Sequence, residues 1–217
     1  MSSRLVNTIS GRLSLRHPQR KSLEILHRVC EIADPTKETD LATALEVIGS
    51  EYPSVTDFER EFPSACFALA TGVGKTRLMG AFISYLYLTE RSRHFFVLAP
   101  NLTIYKKLIE DFTPGTPKYV FQGISEFVTS PPVIVTGENY ESGIGVRDEA
   151  RKGQMDFLRA GSDAPHINIF NISKFNKDTG GGRTKGTPRM RKLSEYIGES
   201  YFEYLSGLSD LVVLMDE

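Results

Sequence analysis

Two stretches of this sequence carry residue types whose spacing could do chemistry. The first is LATGVGKT, Leu69 to Thr76, set between the apolar run CFALA and the run RLMGAFISYLYL. A strand feeding a glycine turn feeding a helix presents successive backbone N–H groups at a helix N-terminus, where they bind phosphate. Gly72 and Gly74 permit left-handed backbone and let the chain approach an anion closely. In such a cradle Thr71, Gly72, Val73, Gly74 and Arg77 would frame the anion. Lys75 would reach the β- and γ-phosphates, where its charge also serves catalysis, and the Thr76 hydroxyl would ligate Mg²⁺. The general motif has a further glycine where Leu69 stands; Gly72 and Gly74 hold the tight part of the loop without it.

The second stretch is LVVLMDE, Leu211 to Glu217. An apolar run ending in two acids is how a buried strand delivers carboxylates to a site. Asp216 would hold the metal shell from the side opposite Thr76. Glu217 would take a proton from an attacking water as general base. Leu205-Ser206-Gly207 lies only nine residues before Asp216, too close for the Leu-Ser-Gly signature of transporter-type ATPases, and reads as a helix end and turn.

The elements that must position these residues can be placed from apolar spacing. SLEILHRVCEIA and DLATALEVIGS have helical spacing, and EYPSVTDFEREFPSA connects them to the glycine-turn region. From Cys66 onward strands and helices alternate. ACFALA, HFFVLAP, PPVIVTG, HINIFNI and DLVVLMDE read as short strands; the segment from about Lys75 to Thr89 and LTIYKKLIEDF read as helices. Short, nearly continuous apolar strands are what a parallel sheet covered on both faces requires. The class is therefore α/β. Residues 138–165 are polar and fall between two strands. Residues 174–192 hold seven Lys/Arg against one acid, Asp178, around three consecutive glycines at 180–182. This local charge of +6 could face a nucleic-acid backbone or be a solvated loop.

Composition bounds the rest. The 217 residues are 40% hydrophobic and 24% charged, with a net charge of −1, the profile of a globular protein. Cys30, Cys66, His17, His27, His94 and His166 share no zinc-ligand spacing, and two cysteines suit a reducing compartment. No apolar run reaches the ~18–20 residues that span a bilayer. A cytoplasmic protein without a membrane partner is expected.

These motifs, in this order, resemble the first motor domain of superfamily-two helicases and translocases, most closely the restriction subunits of type III restriction systems and their DEAD/DEAH-like relatives. The resemblance covers most of the chain as separated motifs. LATGVGKT is similar to motif I of that group, and LMDE to the first half of its Asp-Glu-x-His motif II. FFVLAPNLTIYKKLIEDF is similar to motif Ia, in which Pro100, Asn101 and Thr103 would touch a nucleic-acid backbone. SLRHPQRKSLEIL resembles the upstream Leu-Arg-x-x-Gln pattern, which implies that Gln19 reads adenine through its amide. VIVTGE, with Thr136 and Gly137, and NIFNISKFN, with Ser173 and Lys174, resemble later strand-end motifs that contact nucleic acid.

The resemblance implies a RecA-like P-loop NTPase domain over 61–217, with a mainly parallel sheet and helices on both faces, preceded by a helical segment over 1–60. It implies ATP and Mg²⁺ as cofactors, double-stranded DNA rather than RNA as the track, and a methyltransferase/recognition subunit as partner. It also implies a second RecA-like domain, so this chain is expected to be part of a longer motor and nearly inactive alone. A stand-alone nucleotide-binding regulatory module without turnover remains the alternative. A small phosphotransferase is a third reading, against which the 141-position spacing from Lys75 to Asp216 argues.

Overall fold

The computed structural model describes residues 2–142, 144, 164–172 and 200–216. The chain divides into two compact units, Met1–Leu88 and Thr89–Glu217.

The first unit is helical: α1 (Ser2–Arg12), α2 (His17–Ile32), α3 (Leu41–Glu51) and α4 (Lys75–Leu88). Pro18 supplies the fixed φ favoured in a first helical turn, and Gln19 Oε1 accepts the Arg16 N–H at 2.7 Å. α2 stops where Asp34 turns left-handed (φ 42°) and Pro35 comes next. Asp40 caps α3, its carboxylate accepting the Thr43 N–H at 2.9 Å and hydroxyl at 2.5 Å. α1, α2 and α4 pack together, with Ile9, Leu23, Ala81 and Ile83 fully buried. His27 Nδ1 lies 2.9 Å from the Tyr85 hydroxyl across the α2–α4 contact.

One expected strand does not form. Residues 65–70, whose apolar run suggests a strand, have no regular structure, and Ala65, Cys66, Ala68 and Ala70 are exposed. An apolar run becomes a strand only when another backbone takes up its N–H and C=O groups. No described residue does so here. Phe67 instead lies on α4, its ring centroid 4.9 Å from that of Phe82. Two helices, α1 and the short α6 (Ser125–Thr129), appear where apolar spacing marks no separate helix.

The second unit is built on four strands: β1 (His94–Ala99), β2 (Val133–Thr136), β3 (His166–Asn171) and β4 (Leu211–Met215). All pairings are parallel and the order is β2-β3-β1-β4. Register aligns Phe96 with Asn168 and Leu98 with Phe170, and Val135 also stands opposite Asn168. Since side chains alternate along a strand, Phe96, Phe170 and Val135 share one face. Tyr140 and, from α7 (Tyr201–Gly207), Tyr201 and Leu205 pack on that face. The Tyr201 hydroxyl donates to Asn168 Oδ1, and Asn168 Nδ2 donates to the Phe95 carbonyl at 3.1 Å, so the polar side chain on this face is bonded through both ends of its amide.

The alternate set, Phe95, Val97, Ile167 and Ile169, is fully buried. α5 (Leu102–Phe112) packs along β1, β3 and β2, and its buried Tyr105, Leu108 and Phe112 lie outside the α7 cluster. α5 and α7 therefore cover opposite faces, the layering that a parallel sheet needs. α7 ends at Gly207, so Leu205-Ser206-Gly207 is a helix end.

At the amino ends of β1 and β4 the carboxylate of Asp210 accepts the Arg93 N–H at 2.8 Å and meets His94 Nδ1 at 2.7 Å. Burial pushes this carboxyl up, but the bonds from His94 and the Arg93 amide outweigh it, and its pKa lies below the ordinary 3.8. A depressed carboxylate contributes stability that is full above the unfolded value and is lost as pH falls through the folded one. Urea-unfolding midpoints measured from pH 5 downward are expected to fall more steeply for the wild type than for Asp210→Asn. Superimposable acid limbs would show that Asp210 is not held in this way.

Candidate nucleotide cradle and strand-end surface

In the first unit the loop before α4 takes the backbone its glycines foretell. Gly72 has φ 81° and Gly74 φ 94°, a region that residues with a Cβ rarely enter. The Val73 N–H closes a turn on the Ala70 carbonyl at 3.4 Å. Gly74 then opens α4, its carbonyl accepting the Arg77 N–H at 3.0 Å and the Leu78 N–H at 3.2 Å. The N–H groups of a first helical turn have no acceptor within the helix and carry the positive end of its dipole. Thr71, Gly72, Gly74 and Arg77 are exposed, while Val73, Lys75 and Thr76 are half-buried. The loop, its lysine and its hydroxyl thus fit an anion such as a nucleotide phosphate.

Gln19 is 2% exposed and is brought onto this loop. Its Nε2 donates to the Gly74 carbonyl at 2.8 Å while its Oε1 accepts the Arg16 N–H. A Cβ added at Gly74 would stand 2.8 Å from that same Nε2. Two separate features therefore require glycine there: the sign of φ and the closeness of Gln19. Sequence motifs point to Gln19 and to Gly74 separately, but 55 residues separate them and no periodicity reveals their bond.

In the second unit the carboxyl ends of the parallel strands face one way. Leu98, Ala99 and Pro100 after β1, Ile172 after β3, and Met215 and Asp216 after β4 line a cleft of about 130 Å³. Asp216 is half-buried, and its N–H extends the ladder to the Leu98 carbonyl at 3.4 Å. Asn101 is the N-cap of α5, its Oδ1 accepting the Ile104 N–H at 3.0 Å. Pro100, Asn101 and Thr103 are exposed around that helix start. Thr136 is buried at the end of β2, and its hydroxyl accepts the Glu138 N–H at 3.3 Å. The Gly137 N–H donates to the Tyr105 hydroxyl at 3.2 Å, and that hydroxyl donates to the Glu138 carboxylate. Sequence reasoning misses Tyr105, Glu138 and Asn139; a tyrosine at the apolar spacing of α5 carries no sign of where its hydroxyl goes. Glu217, Ser173, Lys174 and the basic run 174–192 lie outside the described residues, as does most of 138–165 beyond Ser142.

An all-parallel α/β unit and a glycine cradle opening a helix with Lys-Thr are features shared by P-loop nucleotide-binding proteins at large. Residues 12–217 match the profile of the family described as type III restriction enzyme, res subunit, and the chain belongs to that family. Its domain is RecA-like, as expected from the motifs. The family is one of helicase-like ATPase motors, whose domains generally use ATP and Mg²⁺. No curated protein and no solved structure matches the chain significantly. Among the described residues no helix is long and apolar enough to cross a membrane.

Gly74→Ala combines positive-φ strain with the approach to Gln19, whereas a Cβ at Gly72 meets nothing within 4 Å. Strained backbone of this kind costs ~1–3 kcal/mol, so binding of a fluorescent ATP analogue is expected to weaken about tenfold or more in Gly74→Ala and less in Gly72→Ala. Equal losses in the two variants would show that the Gln19 contact is immaterial to the cradle.

Proposed function

We propose that this chain is the ATP-binding first motor domain of a DNA helicase or translocase of a type III restriction-modification system. The observation that carries the proposal is the Gly72–Gly74 turn with its positive φ angles, opening α4 directly into Lys75-Thr76 in a chain of the restriction-subunit family. In this reading residues 1–60 are a helical segment and 61–217 the RecA-like domain. Thr71 to Gly74 and Arg77 hold the phosphates through backbone and charge, Lys75 stabilises charge at the γ-phosphate, and Gln19 reads the adenine edge. Thr76 and Asp216 would hold Mg²⁺, which when bound neutralises charge on phosphate oxygens. Glu217 takes the proton from the attacking water.

Pro100, Asn101, Thr103, Thr136, Gly137, Ser173 and Lys174 form the track side, with double-stranded DNA as the track. Helix starts and hydroxyl or amide side chains of this kind bind phosphate oxygens without reading bases. A second RecA-like domain in a longer polypeptide completes the site by supplying an arginine, and losing such an arginine costs on the order of 10³–10⁵ in rate. The 217-residue chain alone therefore turns ATP over very slowly. A methyltransferase/recognition subunit accompanies the motor, and the complex works in the cytoplasm.

The test begins with the intact mass of the protein from its native source, which identifies the polypeptide to assay. In that polypeptide Lys75→Ala is expected to lower DNA-stimulated ATP hydrolysis by about 10²-fold or more. Glu217→Gln is expected to bind ATP and retain it without turnover. A native mass near 24.3 kDa, with function unaffected by Glu217→Gln, would replace the motor by a nucleotide-sensing regulatory module.

A further inference from the structure

Tyr105 occupies the second turn of α5 and is 3% exposed. A phenylalanine would bury the same ring, so packing does not account for the hydroxyl. A buried hydroxyl is costly unless bonded, and this one meets both the backbone and the side chains of a single turn, Thr136 among them. It accepts the Gly137 N–H and donates to Glu138. Burial, then the Glu138 carboxylate, pushes the phenol up to about 12, so it remains a donor throughout the neutral range.

The turn it holds is itself internally tied. Asn139 Oδ1 accepts the Thr136 N–H at 2.6 Å, Asn139 Nδ2 donates to the Ile134 carbonyl at 3.2 Å, and the Thr136 hydroxyl takes the Glu138 N–H. The other end of the link is the helix whose exposed start carries Pro100, Asn101, Leu102 and Thr103. Asn101 caps Ile104, and the preceding first-turn N–H groups have no helical acceptor.

We propose that Tyr105 and Glu138 form a latch that fixes the start of α5 and the turn after β2 as one rigid phosphate-facing surface. Tyr105 is in this scheme a positioning residue: it touches no nucleic acid, and acts through Pro100, Asn101 and Thr103. The proposal rests on the reading of these strand ends as a nucleic-acid track. It adds that the two segments work as a unit and that the phenol is the polar tie laid over the packing of α5 on β2. The exposed Glu138 carboxylate, which would repel a phosphate if free to move, is held by the same bond.

The test is fluorescence anisotropy of a labelled DNA duplex at several salt concentrations, with ATP-analogue affinity and urea midpoints alongside. Loss of the hydroxyl removes one or two hydrogen bonds, so Tyr105→Phe is expected to bind duplex about five- to tenfold more weakly. Its plot of log affinity against log salt is expected to flatten by about one phosphate contact. A merely structural role would lower the urea midpoint and leave that slope alone, and ATP-analogue affinity is expected to stay unchanged. Glu138→Gln keeps an acceptor for the phenol and is expected to bind duplex at least as well as the wild type, while Glu138→Ala is expected to weaken.

Wild-type affinity and slope in Tyr105→Phe, with Thr103→Ala weakened, would overturn the latch and leave the track reading standing. Equal tightening by Glu138→Gln and Glu138→Ala would also overturn it, since the carboxylate would then only repel. Failure of the wild-type protein to bind duplex at all would overturn the track reading and the latch with it. If Tyr105→Phe does not fold, the comparison of the two Glu138 variants decides.

Discussion

Parallel pairing of β1 with both β3 and β4 is the constraint on which the second unit depends. In a parallel sheet every strand ends on the same side, so residues far apart in sequence are delivered to one rim. Pro100 comes after β1, Ile172 after β3 and Asp216 after β4, and the three line one cleft. The register makes this possible: Leu98 stands beside both Phe170 and Met215, so the three strands run out within a residue or two of one another. Ligands of open α/β sheets bind beyond the carboxyl ends of the strands for this reason. Covering helices are then a requirement rather than an ornament, because both faces of the strands are apolar, and α5 and α7 each supply aromatic residues to one face.

The first unit solves a different problem, that of holding a backbone conformation most residues refuse. Gly72 and Gly74 both lie at positive φ in the loop that opens α4. Such a loop is entropically loose by itself. Gln19 ties it down by taking the Gly74 carbonyl, and Gln19 is in turn fixed by the Arg16 amide and the first turn of α2. The cradle is therefore tied to the helical segment ahead of it, and the glutamine proposed to read adenine is also a structural support of the loop. A side chain with one donor bond and one acceptor bond inside the protein still has one further N–H and one further lone pair, so the two roles are chemically compatible.

How much of this is legible in the sequence depends on the range of the interaction. Apolar periodicity locates α2, α3, α4, α5 and all four strands, because burial of one face is a local signature. The glycine turn is legible since its backbone demand falls on particular residue types. Residues 65–70 mislead for the complementary reason: their apolar character suits a strand, but a strand exists only where a partner completes its hydrogen bonds. α1 escapes notice as a separate helix because its residues Ser2, Ser3, Asn7, Thr8 and Ser10 have weak helical preference, and burial of Val6, Ile9 and Leu13 secures it. The Gln19–Gly74 and Tyr105–Glu138 bonds are illegible in principle. Each joins residues distant in sequence through a single polar atom, and nothing in the spacing of either partner encodes the meeting.

The two rims of the sheet are built to different standards of rigidity. At the amino rim Asp210 accepts two short bonds and binds the start of β4 to the start of β1. At the carboxyl rim the last rung, Asp216 N–H to the Leu98 carbonyl, has lengthened to 3.4 Å, beyond the usual 2.7–3.2 Å range. β4 pairs only with β1 among the described residues, and its Val213 and Met215 are 45% and 53% exposed. These two stand in register with Phe96 and Leu98 on the face that α7 covers, but from β4 the α7 cluster takes in Leu211 rather than either of them. Among the described strands Asp216 thus follows the most exposed one, while Pro100 follows an interior one. In the proposed role of Asp216 as a metal-side carboxylate, a shell shared with waters and phosphates would tolerate a longer rung of this kind better than a preset cage would.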